Sequence, residues 1–241
     1  MSLVYVFAAS DMEGQPVRRI GIPSDTNSIL RCGPNEVVLI TGGMGPINAR
    51  IKAADALRMS PARTPDAVLN IGLCPGLRAS LSEGRIVAYT DCRSTQTAQP
   101  LLRCSEKITG AMADLLKSSN FVCDRVVGIT SPQIATTPAQ RRALADVGAA
   151  VVDMESYSIL ETAASLGIPG AVLRVVSDRV DRVLPDFNRA LDENGGIDGS
   201  KALKVALSSP LRTAKLLATN RRAIRQLAKA LEIVLQSGCF A

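Results

Sequence analysis

The 241-residue chain has no histidine and no tryptophan, and aromatics reach only 3% of its residues. Without histidine there is no Ser-His-Asp or Cys-His nucleophile pair, no imidazole general base, and no zinc site that needs an imidazole ligand. Any proton transfer must run through carboxylates. Six cysteines stand at positions 32, 74, 92, 104, 123 and 239 without a CxxC pair, so neither a clustered metal site nor a dithiol redox motif is indicated. No stretch approaches the roughly 18 apolar residues of a membrane span, and the N-terminus enters an apolar run with no basic leader. A reduced cytoplasmic protein is the expectation.

What is present is globular: 46% hydrophobic and 21% charged residues in a chain long enough to bury a sizeable core. The formal charge of +6 on its own points to an anionic partner, but it is unevenly spread. From Lys201 onward eight bases meet one acid, a tail of +7, which leaves −1 for the first 200 residues. A nucleic-acid reading of the whole chain therefore has no support.

Short Val-, Ile- and Leu-rich runs recur at 3–9, 37–41, 67–71, 85–89, 126–129, 150–152 and 171–176. Several are continuous rather than alternating, as in strands covered on both faces. Helical patterns lie between them at 48–59, 108–118, 138–146 and 156–166. The alternation predicts an α/β fold with a parallel or mixed central sheet, whose ligands sit beyond the carboxyl ends of the strands.

Those ends read Asp11-Met12-Glu13-Gly14, Gly42-Gly43-Met44-Gly45-Pro46, Gly72-Leu73-Cys74-Pro75-Gly76, Thr130-Ser131-Pro132-Gln133, Asp153-Met154-Glu155-Ser156 and Ser177-Asp178. Glycines and carboxylates alternate in them. Gly42, Gly43 and Gly45 allow a sharp turn that brings N–H groups toward an anion or a sugar oxygen, although such a turn also serves as a plain connector. It is not a phosphate-binding P-loop, because no Gly-Lys-Ser/Thr follows. Asn194-Gly195-Gly196 marks a loop or flap. Beyond it, 200–236 reads as an amphipathic helix, with Ile224, Leu227, Leu231 and Leu235 on one face and Arg222, Arg225 and Lys229 on another. Its apolar stripe either docks on the domain or rests on a membrane surface.

Val151-Val152-Asp153-Met154-Glu155-Ser156 followed by Leu173-Arg174-Val175-Val176-Ser177-Asp178 is the most specific signal. Together these segments resemble the purine nucleoside phosphorylase and methylthioadenosine nucleosidase superfamily, and the resemblance spans nearly the whole chain. Within it, Gly42 to Ala49, the Asp153-Met154-Glu155-Ser156 segment and Arg174 to Pro185 are most similar to the hopanoid-associated phosphorylases. The resemblance implies a single-domain three-layer α/β fold with a mixed central sheet flanked by helices. Residues 1–200 would form the catalytic domain and 201–241 a basic helical extension packed on it. It implies an adenine nucleoside as substrate, adenosylhopane in the narrower match, with a phosphate-dependent phosphorylase or a methylthioadenosine/S-adenosylhomocysteine nucleosidase as alternatives. No metal or cofactor is implied. Homo-oligomers are, and a lipid-linked substrate would bring the tail to the inner membrane surface.

Site roles follow from the same resemblance. Asp178 would be the acid toward the leaving base and Glu13 the general base for water, with Met154 and Glu155 on the ribose and Arg174 and Ser177 in support. Ser131, Gln133 and Ile134 would border the base, and Gly43, Gly45 and Gly72 would shape the turns near the nucleophile. The residue types suit the chemistry: cleaving a purine N-glycosidic bond builds positive charge on the sugar and negative charge on the base. Blander roles remain open at each position. Asp178 could cap a helix, Glu13 sit in a solvated loop, Met154 fill core and Arg174 make a structural ion pair. Phosphate is poorly provided for, since the Asn70-Ile71-Gly72-Leu73 turn offers neither arginine nor hydroxyl, and Arg18, Arg19, Arg50 and Arg78 are the remaining candidates to hold it.

Overall fold

A computed structural model describes residues 1–24, 29–58, 63–96, 99–193 and 195–241. Met59, the predicted end of one helix, and Asn194 of the predicted loop lie outside the described residues. In chain order the elements begin with β1 (Ser2–Ala8), α1 (Asp11–Ile20), β2 (Ile22–Pro23), β3 (Leu30–Cys32), β4 (Asn35–Thr41), α2 (Pro46–Arg58) and β5 (Ala67–Pro75). There follow β6 (Ile86–Ser94), β7 (Leu102–Arg103), α3 (Glu106–Ser118), β8 (Cys123–Thr130), α4 (Pro138–Asp146), β9 (Val151–Asp153) and α5 (Ser156–Ser165). The chain closes with β10 (Gly170–Asp178), a 3₁₀ turn (Phe187–Ala190), α6 (Gly199–Ser208) and α7 (Pro210–Leu235).

Among the described residues, ten strands form one sheet in the order β2-β3-β4-β1-β5-β10-β6-β8-β9, with β7 paired to β6. The sheet is mixed because β6 runs parallel to β8 but antiparallel to β10. Every residue of β1 is buried, and alternate side chains enter different layers. Val4, Val6 and Ala8 join the core under α1, α3 and α7, whereas Leu3, Tyr5 and Phe7 pack with α2 and α5. That double cover explains why the predicted strands were continuous apolar runs, and it makes the three layers.

Three features depart from the sequence reading. First, the segment after β1 is not a loop: α1 begins at Asp11, with Ser10 accepting the Glu13 N–H at 3.4 Å as its cap. Gly14 and Pro16 both disfavour a helix by propensity, but capping and tertiary packing override them. Second, β2, β3 and β7 are two or three residues long, too short to show a period. Third, the 200–236 helix is two helices, broken at Ser209-Pro210. Pro210 opens α7, where its missing N–H costs nothing.

The second half of α7 docks its apolar stripe. Ala223, Leu227, Ala230, Leu231, Val234 and Leu235 share one cluster with Val4, Leu69 and Leu173 of the sheet, while Arg222, Arg225 and Lys229 stay exposed. That stripe is core. Leu231 is fully buried, so Leu231→Ala should lower unfolding stability by about 2–5 kcal/mol, whereas Leu211→Ala, at a position 86% exposed, should change it by no more than about 0.5 kcal/mol. Urea unfolding of the two variants checks this, and equal midpoints would contradict the packing of α7.

Candidate active site

The carboxyl ends of β1, β5, β9 and β10 open on one cavity of about 310 Å³. At its floor lies Asp153, the last residue of β9, which the sequence reading passed over. Its Oδ1 accepts from the Thr130 hydroxyl at 2.7 Å and from the Glu155 and Ser156 amides at 3.0 Å. Its Oδ2 accepts from the Tyr89 hydroxyl at 2.8 Å and the Ser156 hydroxyl at 2.5 Å. Burial would favour the neutral acid, but the Arg174 guanidinium and these donors outweigh it and hold Asp153 below its ordinary pKa. A charge satisfied on all sides fixes the start of α5, and with it Glu155.

Arg174 comes from the middle of β10 and is 1% exposed. Its Nε stands 3.4 Å from Asp153, its Nη2 lies 3.4 Å from Glu155 Oε2 and 3.2 Å from the Ser156 hydroxyl, and its Nη1 donates to the Leu73 carbonyl at 3.0 Å. Glu155 Oε1 accepts the Gly45 amide at 3.1 Å. Gly45 adopts φ +85°, and a Cβ there would stand 2.8 Å from the Gly195 carbonyl, so only glycine allows this approach. Gly43 belongs to the same turn, whose Met44 side chain reaches the cavity. Burial, with Asp153 and Glu13 adding like charge, pushes the Glu155 carboxyl up to about 7 against the pull of Arg174.

Glu13 is 7% exposed, so the solvated-loop role is excluded. Its Oε1 accepts the Leu73 amide at 2.8 Å and its Oε2 accepts the Ser10 hydroxyl at 3.1 Å. Gly72 separates Glu13 from Arg174. A Cβ on it would stand 2.6 Å from Glu13 Oε1 and 2.8 Å from Arg174 Nη1, so the glycine admits both charged groups to one end of the cavity. Met154 lines the wall between Asp153 and Glu155 and is not a core residue.

Asp178 ends β10 at 1% exposure, and no helix follows it, which removes the helix-cap role. The Ser177 hydroxyl donates to its Oδ2 at 2.7 Å. Its Oδ1 pairs with Arg141 of α4, a fully buried arginine that also donates to the Ala135 carbonyl at 3.0 Å and to the Arg179 carbonyl. Sequence reading missed Arg141, because an arginine in a polar nine-residue helix reads as a solvated face. Gln133 and Ile134 line the cavity near Asp178, but Ser131 turns away from it and holds the Gln133 backbone. The backbone of Ile134 is already engaged: Asn188 accepts its N–H at 2.8 Å and donates to its carbonyl at 2.9 Å.

The sequence profile of the phosphorylase superfamily matches residues 7–209, most of the chain. The chain belongs to the phosphorylase superfamily. Among curated relatives of this superfamily member, a 5'-methylthioadenosine/S-adenosylhomocysteine nucleosidase of Exiguobacterium sp. is 24% identical over 67% of the chain and 74% of its own length. Solved structures share the fold at lower identity. The Neisseria meningitidis 5'-methylthioadenosine/S-adenosylhomocysteine nucleosidase with methylthio-immucillin-A superposes at TM-score 0.74 and 16% identity over 98% of this chain and 99% of that one. The Helicobacter pylori futalosine hydrolase does so at 0.72 and 14% over 97% of each.

Two outcomes test the site's electrostatics. Arg141→Met leaves the buried Asp178 charge unpaired and should cost about 3–5 kcal/mol in urea unfolding, with part recovered in Arg141→Met/Asp178→Asn; a loss below about 0.5 kcal/mol would mean the pair is solvated. Glu155, with its pKa raised from 4.5 to about 7, holds a proton in the fold that the unfolded chain gives up. Its stabilising contribution is complete below pH 4.5, falls as pH rises and is lost above about 7. Unfolding midpoints across that window should fall less in Glu155→Gln than in the parent.

Proposed function

We propose that this chain hydrolyses the N-glycosidic bond of an adenine nucleoside carrying an apolar 5' substituent. The observation that carries the reading is that Glu13, Glu155 and Arg174, gathered around Gly72 and the Arg174–Glu155 pair, line the same cavity as Ser177 and Asp178. As the C1'–N9 bond breaks, its electrons pass to the purine and the ribose ring becomes cationic. Asp178, protonated from solvent as the nucleoside binds, delivers that proton to N7 of the departing base, and the Ser177 hydroxyl, which donates to its Oδ2, steadies the carboxylate left behind. Glu155 in its ionised form accepts from the ribose hydroxyls and strengthens as the sugar gains charge, while Met154 packs on the sugar face. A water attacks C1', and Glu13 takes its proton, which leaves free adenine and a ribose with hydroxyl at C1'.

Water is supported over phosphate by charge. Arg174 is the one cation among the described residues that line the cavity, and it is committed to Asp153, Glu155 and the Leu73 carbonyl. Of the other candidate arginines, Arg18 pairs with Asp11, Arg50 with Glu161, and Arg78 donates to the Gly148 carbonyl; neither they nor Arg19 line the cavity. A phosphate dianion would face carboxylates.

The named relatives favour a methylthioadenosine-type substrate. A longer apolar group, such as the hopane of adenosylhopane, is favoured by the walls, where Met12, Leu184, Phe187, Ile197 and Leu216 line the cavity. Homo-oligomeric assembly belongs to the same proposal, supported by Ile47 and Ile51, about half exposed on α2.

The deciding assay measures base released from methylthioadenosine, S-adenosylhomocysteine, adenosylhopane, adenosine and inosine, with and without phosphate. Adenine should appear without phosphate, and Asp178→Asn should lower turnover by ~10²- to 10⁴-fold while nucleoside binding persists. Release that requires phosphate would make the enzyme a phosphorylase, and no release from any of them would end the proposal.

A further inference from the structure

Helix α6 buries none of its residues. Ala202, Val205 and Ala206 are half-buried, and Leu203 and Leu207 point into solvent at 60% and 70% exposure. Across the Pro210 break the exposure continues, with Leu211 at 86% and Leu217 at 53%. The inner half of α7 hides its leucines completely, so these four stand out as large apolar groups on a surface the fold leaves uncovered.

The charge around them has one sign. From 199 to 218 there are Lys201, Lys204, Arg212 and Lys215 and no acidic residue. Arg212 and Lys215 also border an open depression of about 730 Å³ with Arg179 and Arg182. There Arg179 pairs with Asp181 and Arg182 with Glu83, while Arg212 and Lys215 have no carboxylate partner among the described residues. Leucines interleaved with unpaired cations match an interface that is apolar beneath and anionic at its surface. A water-filled contact would not need the leucines, and a purely apolar partner would not need the cations.

The geometry points to α6 and the first two turns of α7 as a docking surface for an anionic lipid bilayer, with the leucines entering the headgroup boundary and Lys204, Arg212 and Lys215 meeting lipid phosphates. This surface borders the cavity: Ile197 precedes α6 and Leu216 follows the break, and both line the cavity wall. Docking therefore sets the cavity beside the membrane, whichever nucleoside it accepts. The surface is distinct from Arg222, Arg225 and Lys229, which lie alongside the half of α7 that is packed into the core.

Co-sedimentation of the full chain with vesicles of equal parts phosphatidylglycerol and phosphatidylcholine, against pure phosphatidylcholine, tests this. Binding should favour the anionic vesicles and weaken in 0.5 M salt, where the Debye length falls to about 4 Å. Lys204→Gln/Arg212→Gln/Lys215→Gln should bind roughly 100-fold more weakly. Leu203→Ser/Leu207→Ser/Leu211→Ser should bind at least about tenfold more weakly, and both variants should keep the parent urea midpoint, since their side chains are exposed. Failure of the parent to bind anionic vesicles would overturn the inference, as would binding that both variants leave unchanged. It would also fall if the leucine variant abolished a dimer formed without vesicles, which would assign the face to a second copy of the chain. Adenine release in solution is measured separately, so either reading can fail alone.

Discussion

The site depends on one guanidinium. Arg174 lies in the middle of the sheet, cut off from water, and holds Asp153 and Glu155 directly while Glu13 stands across Gly72. Burying carboxylates together is costly, because each must lose hydration and repel the others. Arg174 offsets that cost where geometry is best: Asp153, with five further donors, stays charged, whereas Glu155, with fewer, is pushed toward neutrality. One guanidinium thus faces three carboxyl groups at this end of the cavity, the polarity that the proposed sugar cation needs once Glu155 ionises.

The fold sets the distance between the two ends. α1, which follows β1, delivers Glu13; Gly72 and Leu73 lie within β5 rather than in the turn expected there; the end of β9 positions Asp153 and Glu155, and β10 carries both Arg174 and Asp178. Arg174 and Asp178 sit four residues apart in one strand, so the strand itself fixes the spacing between the cation that holds Asp153 and Glu155 and the Asp178 carboxyl. Arg141 reaches Asp178 from α4, outside the sheet, and gives the second buried carboxylate its own cation.

The charge excess is a matter of location. The body is close to neutral, and its buried Asp153, Glu155 and Asp178 have arginine partners. The C-terminal cations divide by what lies next to them. Arg222, Arg225 and Lys229 border a helix face packed into the core, whereas Lys201, Lys204, Arg212 and Lys215 border leucines that nothing covers. Similar composition on two successive helices has opposite surroundings, because Pro210 ends one and starts the other.

Much was legible without coordinates. Continuous Val, Ile and Leu runs determined buried strands, since only a sheet covered on both faces tolerates them, and the residues closing those runs gave Glu13, Glu155 and Asp178. The absence of histidine excluded an imidazole general base or nucleophile pair. Only the tertiary structure decided which of these charges share a cavity and what partners they have. Asp153 and Arg141 are ordinary in sequence, and their roles arise from neighbours 23 and 37 residues away, Thr130 and Asp178. The same holds for α1, where local propensity at Gly14 and Pro16 argued against the helix and packing against β4 and α7 overruled it. Local pattern fixes what a segment can be, while burial and long-range pairing decide what its side chains do.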